Sequence, residues 1–364
     1  MLKTERRGST ARGRMTLPAL LVLAAPVLMG AAPTPPSTLP PAPASAAASA
    51  DSSGRAAMKH GRVADHVLVI SIDGLRPDAI ERFNAFTILR LMREGSYALT
   101  AQTILPSKTL PSHTSMLTGV DADKHGITWN DERVDDHGHV DVPTVFGLAK
   151  ADGFRTAAFF SKTKFHHLEA PNTIDYVRSP KGGIFDFRWD AARTVNEVGK
   201  HLTSRAAAPN LMFVHLGEPD YAGHMFGWMG RAYGNAVRAA DQAVAQLLEK
   251  AEDRFGRGNF TVILTADHGG HDRNHGSEDP RDTTIPWIVW GKGVTGGVEL
   301  PTGIRTMDTA ATALWLLGVD APAAWVGTAQ VGAFDQPATV AGPATGDAAA
   351  TVDAPTGMSQ VSTN

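Results

Sequence analysis

Cysteine is absent from the 364 residues, which removes disulfides and thiolate zinc sites together. Any metal must then be held by histidine, aspartate, glutamate or a hydroxyl oxygen. Charge of one sign is also scarce: 34 Lys and Arg stand against 37 Asp and Glu, a formal net charge of −3. So even a balance gives no reason to expect a nucleic-acid binding surface. Long apolar runs are missing too. A membrane span needs about 20 apolar residues, and the run inside LPALLVLAAPVLMGAA reaches about 14, so no stable span is expected. What remains, 43% hydrophobic and 20% charged residues, suits a globular chain of one large domain or two small ones.

The ends of the chain differ from its middle. Arg6, Arg7, Arg12 and Arg14 precede that apolar run, and small residues follow it. Residues 1–32 therefore read as an export signal. With no cysteine behind the run, a lipoprotein signal does not fit. Residues 33–60, rich in Pro and Ala, read as a flexible linker. Residues 335–364 are an Ala/Thr/Pro/Gly-rich tail expected to be disordered. The folded, catalytic part is expected over 61–334, in an exported protein, periplasmic or secreted. No internal repeat is evident.

Within 61–334, short apolar runs alternate with helical periodicity. HVLVISID (66–73), FRTAAFFS (154–161), NLMFVHLG (210–217), FTVILTAD (260–267) and PWIVWG (286–291) are rich in β-branched and aromatic residues. Unbroken apolar strands of this kind are buried on both faces, as in a parallel sheet between helices. DAIERFNAFTILRLMREG and RAYGNAVRAADQAVAQLLEKAED carry helical periodicity, and RTMDTAATALWLLG reads as a C-terminal helix closed by Gly318. The expected fold is α/β: a doubly wound, mostly parallel sheet covered by helices on both faces.

Three of the runs end near aspartate: Asp73, Asp267, and Asp220 just past the third. Ligands gather beyond the carboxyl ends of strands in open α/β sheets, so three carboxylates placed this way point to one shared site. In EPDYAGH, Asp220 and His224 are four apart and share a helix face. Imidazole with carboxylate suits zinc. TADHGGHDRNHG adds His268, His271 and His275 to Asp267. In LPSKTLPSHTSMLTG, Pro111 and an amphipathic stretch predict a helix beginning near 110–112. Thr109 then stands at or just before its N-terminus, where hydroxyl and free N–H groups face a bound anion. His113, on that helix, and His125, His166 and His167 are not counted as ligands, and Arg76 reads as a turn residue. Asn130 is a candidate donor to a phosphoryl oxygen.

Taken in order, VISIDGLRPD, LPSKTLPSHTSMLTGVDADKHGI, EPDYAGH, TADHGGHDRNHG and TMDTAATALWLLGV resemble the alkaline phosphatase superfamily, and within it the type I phosphodiesterase/nucleotide pyrophosphatase family. The resemblance spans 66 to about 327. It implies two divalent metal ions, foremost zinc; His/Asp donors accept several divalent ions, so manganese at one position stays open. Asp73, Thr109, Asp267 and His268 would hold one; Asp220, His224 and His275 would hold the other, leaving His271 a bystander. Thr109 matches the nucleophile in the family's T-K-T-F-P-N-H pattern, which reads SKTLPSH here. It would form a covalent phosphothreonine intermediate whose two in-line steps retain configuration at phosphorus. Asn130 matches an asparagine on the phosphoryl oxygen.

The implied activity is cleavage of phosphodiester or pyrophosphate bonds in a small phosphate ester. Leu110 replaces an aromatic residue that supports nucleobase stacking in nucleotide-cleaving relatives, Ser112 replaces asparagine, and a long insertion between the last two histidines is missing. These changes weaken a nucleotide assignment. A phosphomonoesterase or phosphonate hydrolase on the same metals is the alternative, and a non-catalytic exported binding protein the remote one. A sulfatase does not fit, because its formylglycine arises from a C/S-x-P-x-R context and SHTSM is not one. The oligomeric state is not legible in the sequence.

Overall fold

A computed structural model describes residues 61–182 and 188–334. The expected export signal, linker and tail lie outside these residues. The apolar runs form strands where the residue types favour them: β1 His66–Ile72, β2 Ser96–Gln102, β3 Thr156–Phe159, β4 Tyr176–Arg178, β5 Leu211–Leu216, β6 Phe260–Thr265, β7 Thr284–Gly291 and β8 Val298–Glu299. They make one sheet in the order β4-β3-β5-β1-β6-β7-β2-β8. The first five in that order run parallel, with Val67 of β1 opposite Leu211 of β5 and Thr261 of β6.

Helices cover both faces. Phe86–Glu94, Ala191–Leu202 and Arg231–Phe255 pack together on one side, and Thr109–Thr118, Val145–Ala151 and Asp308–Leu317 on the other. Strand β1 touches Arg231–Phe255 from one face and Asp308–Leu317 from the other, which is why β5 and β6 beside it are buried along their whole length. Among the described residues no helix is long and apolar enough to cross a membrane.

Two local expectations change. The PWIVWG run lies in β7, which is antiparallel to both neighbours, β6 and β2. An apolar run encodes burial on both faces but not direction, so a central antiparallel strand looks like a parallel one. The periodic stretch 78–95 is not one helix: Pro77–Arg82 and Phe86–Glu94 are separated at Asn84, whose φ of 55° is left-handed. Asparagine tolerates that conformation better than most residues. The restarted helix has no side-chain cap of its own. Instead the buried Asp241 carboxylate, from Arg231–Phe255, accepts from Thr87 N at 3.1 Å and Ile88 N at 2.8 Å. At the other end of the chain Gly318 closes Asp308–Leu317 in the left-handed region, φ 78°.

Asp241 thus satisfies two orphan amides across a helix pair. Asp241→Ala should lower the free energy of unfolding by about 1–2 kcal/mol in urea titration; no measurable change in the midpoint would contradict this role.

Candidate metal centre

Four adjacent parallel strands, β3, β5, β1 and β6, point their carboxyl ends at one region. Beyond them stand Lys162, Asp220, Asp73 and Asp267 in turn. The turns are tight. Gly74 has φ 71°, and a Cβ there would sit 2.9 Å from Asp220 Cα, so only glycine lets the loop after β1 approach the helix Glu218–Phe226. The amide of Asp220 donates to Asp73 O at 3.0 Å, fixing one carboxylate relative to the next.

Each of the three buried carboxylates is held by one oxygen and bare at the other. Asp267 Oδ1 accepts from Gly74 N (3.1 Å) and His268 N (3.0 Å). Asp73 Oδ2 accepts from Lys162 Nζ (2.5 Å) and faces His215 Nε2 (2.9 Å). Asp220 Oδ2 accepts from the same Nζ at 2.6 Å. The remaining oxygens, Asp73 Oδ1, Asp220 Oδ1 and Asp267 Oδ2, are buried without a hydrogen bond. A buried bare carboxylate oxygen is expensive unless a cation answers it.

The histidines present acceptors to the same space. His224 Nδ1 donates to Arg273 O (3.0 Å), His268 Nδ1 to Gly269 O (2.8 Å) and His275 Nδ1 to Ser107 O (2.8 Å). A carbonyl can only accept, so each Nδ1 carries hydrogen and, in the neutral ring, Nε2 keeps its lone pair, the form a metal ligand needs. His268 Nε2 lies 3.4 Å from Asp73 Oδ1 and 3.2 Å from Asp267 Oδ2. His224 Nε2, His275 Nε2 and Asp220 Oδ1 converge at 3.1–3.5 Å from one another. Acceptors gathered this way form a candidate cation site. Two groups, Asp73/Asp267/His268 and Asp220/His268/His275, meet the spacing of a metal site, and the donor set of oxygen and imidazole nitrogen suits zinc.

Thr109 is the first residue of the helix Thr109–Thr118 and is buried. Its Oγ1 lies 3.3 Å from His268 Nε2. Asn130 Oδ1 accepts from Leu110 N at 2.9 Å, so the asparagine is tied to that helix N-terminus. Lys108, Trp129, Asn130, Arg133, His224 and His275 border a cavity of about 410 Å³ beside these groups. His271 is turned away, its Nδ1 on Asp282 Oδ1 at 2.7 Å. His125 bonds Ser115 Oγ and Ile127 N. His166 and His167 lie in the 3-10 helix Thr163–Leu168, and Arg76 pairs with Asp78.

With this geometry in place, the profile of the type I phosphodiesterase/nucleotide pyrophosphatase family matches residues 67–279. The chain belongs to that family. Among its relatives are GPI ethanolamine phosphate transferase 1 of Aspergillus oryzae, 25% identical over 288 residues (68% of this chain, 27% of that protein), and the venom phosphodiesterase of Macrovipera lebetinus, 25% identical over 235 residues (60% and 27%). The bis(5'-adenosyl)-triphosphatase of Xenopus laevis is 26% identical over 217 residues (56% and 46%). The chain thus spans a quarter to a half of the length of these relatives. An inactive form of murine ectonucleotide pyrophosphatase/phosphodiesterase 5, in complex with AMP, superposes with a TM-score of 0.59 at 15% identity over 71% of this chain and 96% of that one. A putative sulfatase from Bacteroides thetaiotaomicron gives 0.58 at 16% identity, over 73% of each. These likenesses show the alkaline phosphatase-like α/β fold.

Three groups at the centre of this family member were not read as site residues from sequence: Lys162 and His215 were not named, and His113 was set aside as a non-ligand. Lys162 joins Asp73 to Asp220. His215 faces Asp73 and, through Nδ1, Ser161 Oγ at 2.7 Å. His113 lies on Ser71 Oγ (2.8 Å) and 3.4 Å from Asp267 Oδ2. Lys162 had a usable signal: it follows an apolar strand at the same edge as the aspartates. Burial opposes ionisation of Asp73, yet the Lys162 ammonium and His215 hold it well below the usual carboxylate range. Burial and then the Asp73 charge push Asp267 well above that range, as expected for the one of three adjacent carboxylates that Lys162 does not pair with. The Asp220 carboxylate raises His224, while burial and then His268 bring His275 down to about 3. Burial, with Lys162 next, takes Lys164 down to about 8.

His275 and His271 are expected to differ in metal binding. His275→Ala should reduce bound zinc, measured by mass spectrometry after dialysis, from close to two ions per chain to close to one. His271→Ala should leave it at two, and equal losses in both variants would contradict the placement.

Proposed function

We propose that this chain is a two-metal hydrolase of phosphodiester or pyrophosphate bonds in small molecules, acting through a covalent intermediate on Thr109. The observation that carries the reading is the convergence of bare carboxylate oxygens and imidazole lone pairs beside a threonine hydroxyl at a helix N-terminus. Asp73, Thr109, Asp267 and His268 form one ligand set, and Asp220, His224 and His275 the other. Two divalent cations, zinc in our assignment, supply Lewis acidity at the phosphoryl group when bound.

The protein's own groups do the rest. Thr109 Oγ1 takes the phosphoryl group as the leaving oxygen departs, and water then displaces Thr109 in a second in-line step. The positive end of Thr109–Thr118 faces the transferred anion. Asn130 has its Oδ1 engaged by Leu110 N, which leaves its Nδ2 hydrogens for a phosphoryl oxygen. Leu110 is fully buried and offers no face to a base, in keeping with a substrate that is not chosen by stacking at that position. We further assign residues 1–32 to export, 33–60 to a linker, 61–334 to the catalytic domain and 335–364 to a tail, in a periplasmic or secreted protein.

One second reading has specific support. Relatives include proteins named ethanolamine phosphate transferases, and an alcohol arriving in place of water would turn the same intermediate to transfer. A phosphomonoesterase or phosphonate hydrolase would use the same residues on a different ester. The presence of all seven ligand-type residues argues against a binding protein without turnover.

On one preparation, kcat/KM for bis-p-nitrophenyl phosphate should exceed that for p-nitrophenyl phosphate; a clear preference for the monoester would overturn the diesterase assignment. Thr109→Ala should lower kcat by on the order of 10³-fold or more with the fold intact by circular dichroism. Unchanged turnover would remove Thr109 as nucleophile.

A further inference from the structure

The centre contains a cation of its own. Lys162 is buried, and its ammonium reaches Asp73 Oδ2 at 2.5 Å and Asp220 Oδ2 at 2.6 Å. These two aspartates belong to different ligand sets, so a single side chain spans both metal positions. It also takes only the outer oxygens. Asp73 Oδ1 and Asp220 Oδ1, the atoms directed at the histidines, stay without hydrogen bonds. Lysine and metals therefore do not contend for the same atoms but share the same carboxylates, one on each side.

We propose that Lys162 is a resident counter-cation that keeps the metal-free centre folded and its two carboxylates aimed, and that moderates the final affinity for the metals. Both effects are electrostatic. Without a metal the buried Asp73 and Asp220 carboxylates need compensation, and Lys162 is the ammonium paired with both; among the described residues Asp267 is answered at Oδ1 by backbone amides alone. Once divalent cations enter on the inner side, the same ammonium becomes a like charge a few ångströms away in a poorly screened interior, where such repulsion is strong. The outer hydrogen bonds also restrict each aspartate to one free oxygen, which favours single-oxygen coordination and keeps the two positions distinct.

The inference rests on the two-metal reading, and the test separates the two. Full-length chain, stripped with EDTA, is titrated with zinc against a competing chelator, and its melting temperature is recorded with and without zinc. Lys162→Met removes the charge at similar length, Lys162→Gln is a second neutral replacement, and Lys162→Arg keeps the charge. The neutral variants should bind zinc about tenfold or more tightly than wild type. Their metal-free melting temperature should fall by about 5 °C or more, with a larger rise on adding zinc; folding only with zinc counts as the same result. Lys162→Arg should stay near wild type in both measurements. Equal or weaker zinc binding by the neutral variants, an unchanged metal-free melting temperature, or failure to fold with and without zinc would make Lys162 a general strut and overturn the proposal. Absence of zinc binding by wild type would instead refute the two-metal reading.

Discussion

Placing three carboxylates side by side in a protein interior is the constraint around which this fold is arranged. Ionised groups out of water must be paired or ligated, and Asp73, Asp220 and Asp267 are all buried. The sheet meets that demand through adjacency. Strands β5, β1 and β6 are neighbours, so their ends bring the three aspartates together without a long loop. Backbone amides, an imidazole and one ammonium then hold an oxygen of each. What is left over, one bare oxygen per aspartate, defines where cations belong.

The chemistry follows from the same arrangement. Helix Thr109–Thr118 sets its first residue against His268, which puts a hydroxyl and a positive helix end at the edge of the carboxylate cluster. Histidines fixed by backbone carbonyls turn their Nε2 atoms inward, so the ligand tautomer is set before any ion arrives. Within the type I phosphodiesterase/nucleotide pyrophosphatase family this chain is short relative to the curated proteins it matches. A cavity bordered by Trp129 and Arg133 opens beside the centre.

Much of this was legible in the sequence, for identifiable reasons. Strands buried on both faces leave unbroken apolar runs, so β1, β5 and β6 and the aspartates that follow them stand out. Pro111 and the hydroxyl-rich SKTLPSH marked the helix start within a residue or two. Direction was not legible: β7, antiparallel to both neighbours, is as apolar as the parallel strands β1, β5 and β6. Strand β2 (SYALTAQ) is only partly buried and mixes small and polar residues with Tyr97 and Leu99, and β4 and β8 are only three and two residues long, too short to carry a period. Lys162 escaped because a lysine after a strand ordinarily reads as a solvated charge, and its burial depends on carboxylates far away in sequence. His215 sits within an apolar strand and His113 within a buried, hydroxyl-rich helix, where sequence distinguishes a packed histidine from one that buttresses a ligand only through its neighbours in space.

The central claim is that the bare oxygens and imidazole nitrogens are metal ligands while the outer oxygens remain tied to the protein. Anomalous diffraction at the zinc edge from crystals of the zinc-loaded chain tests it directly. Two peaks are predicted, one beside Asp73 Oδ1, Asp267 Oδ2 and His268 Nε2, the other beside Asp220 Oδ1, His224 Nε2 and His275 Nε2, with Lys162 still on both outer oxygens. No peak at this centre, or zinc bound through the outer oxygens with Lys162 displaced, would contradict the account.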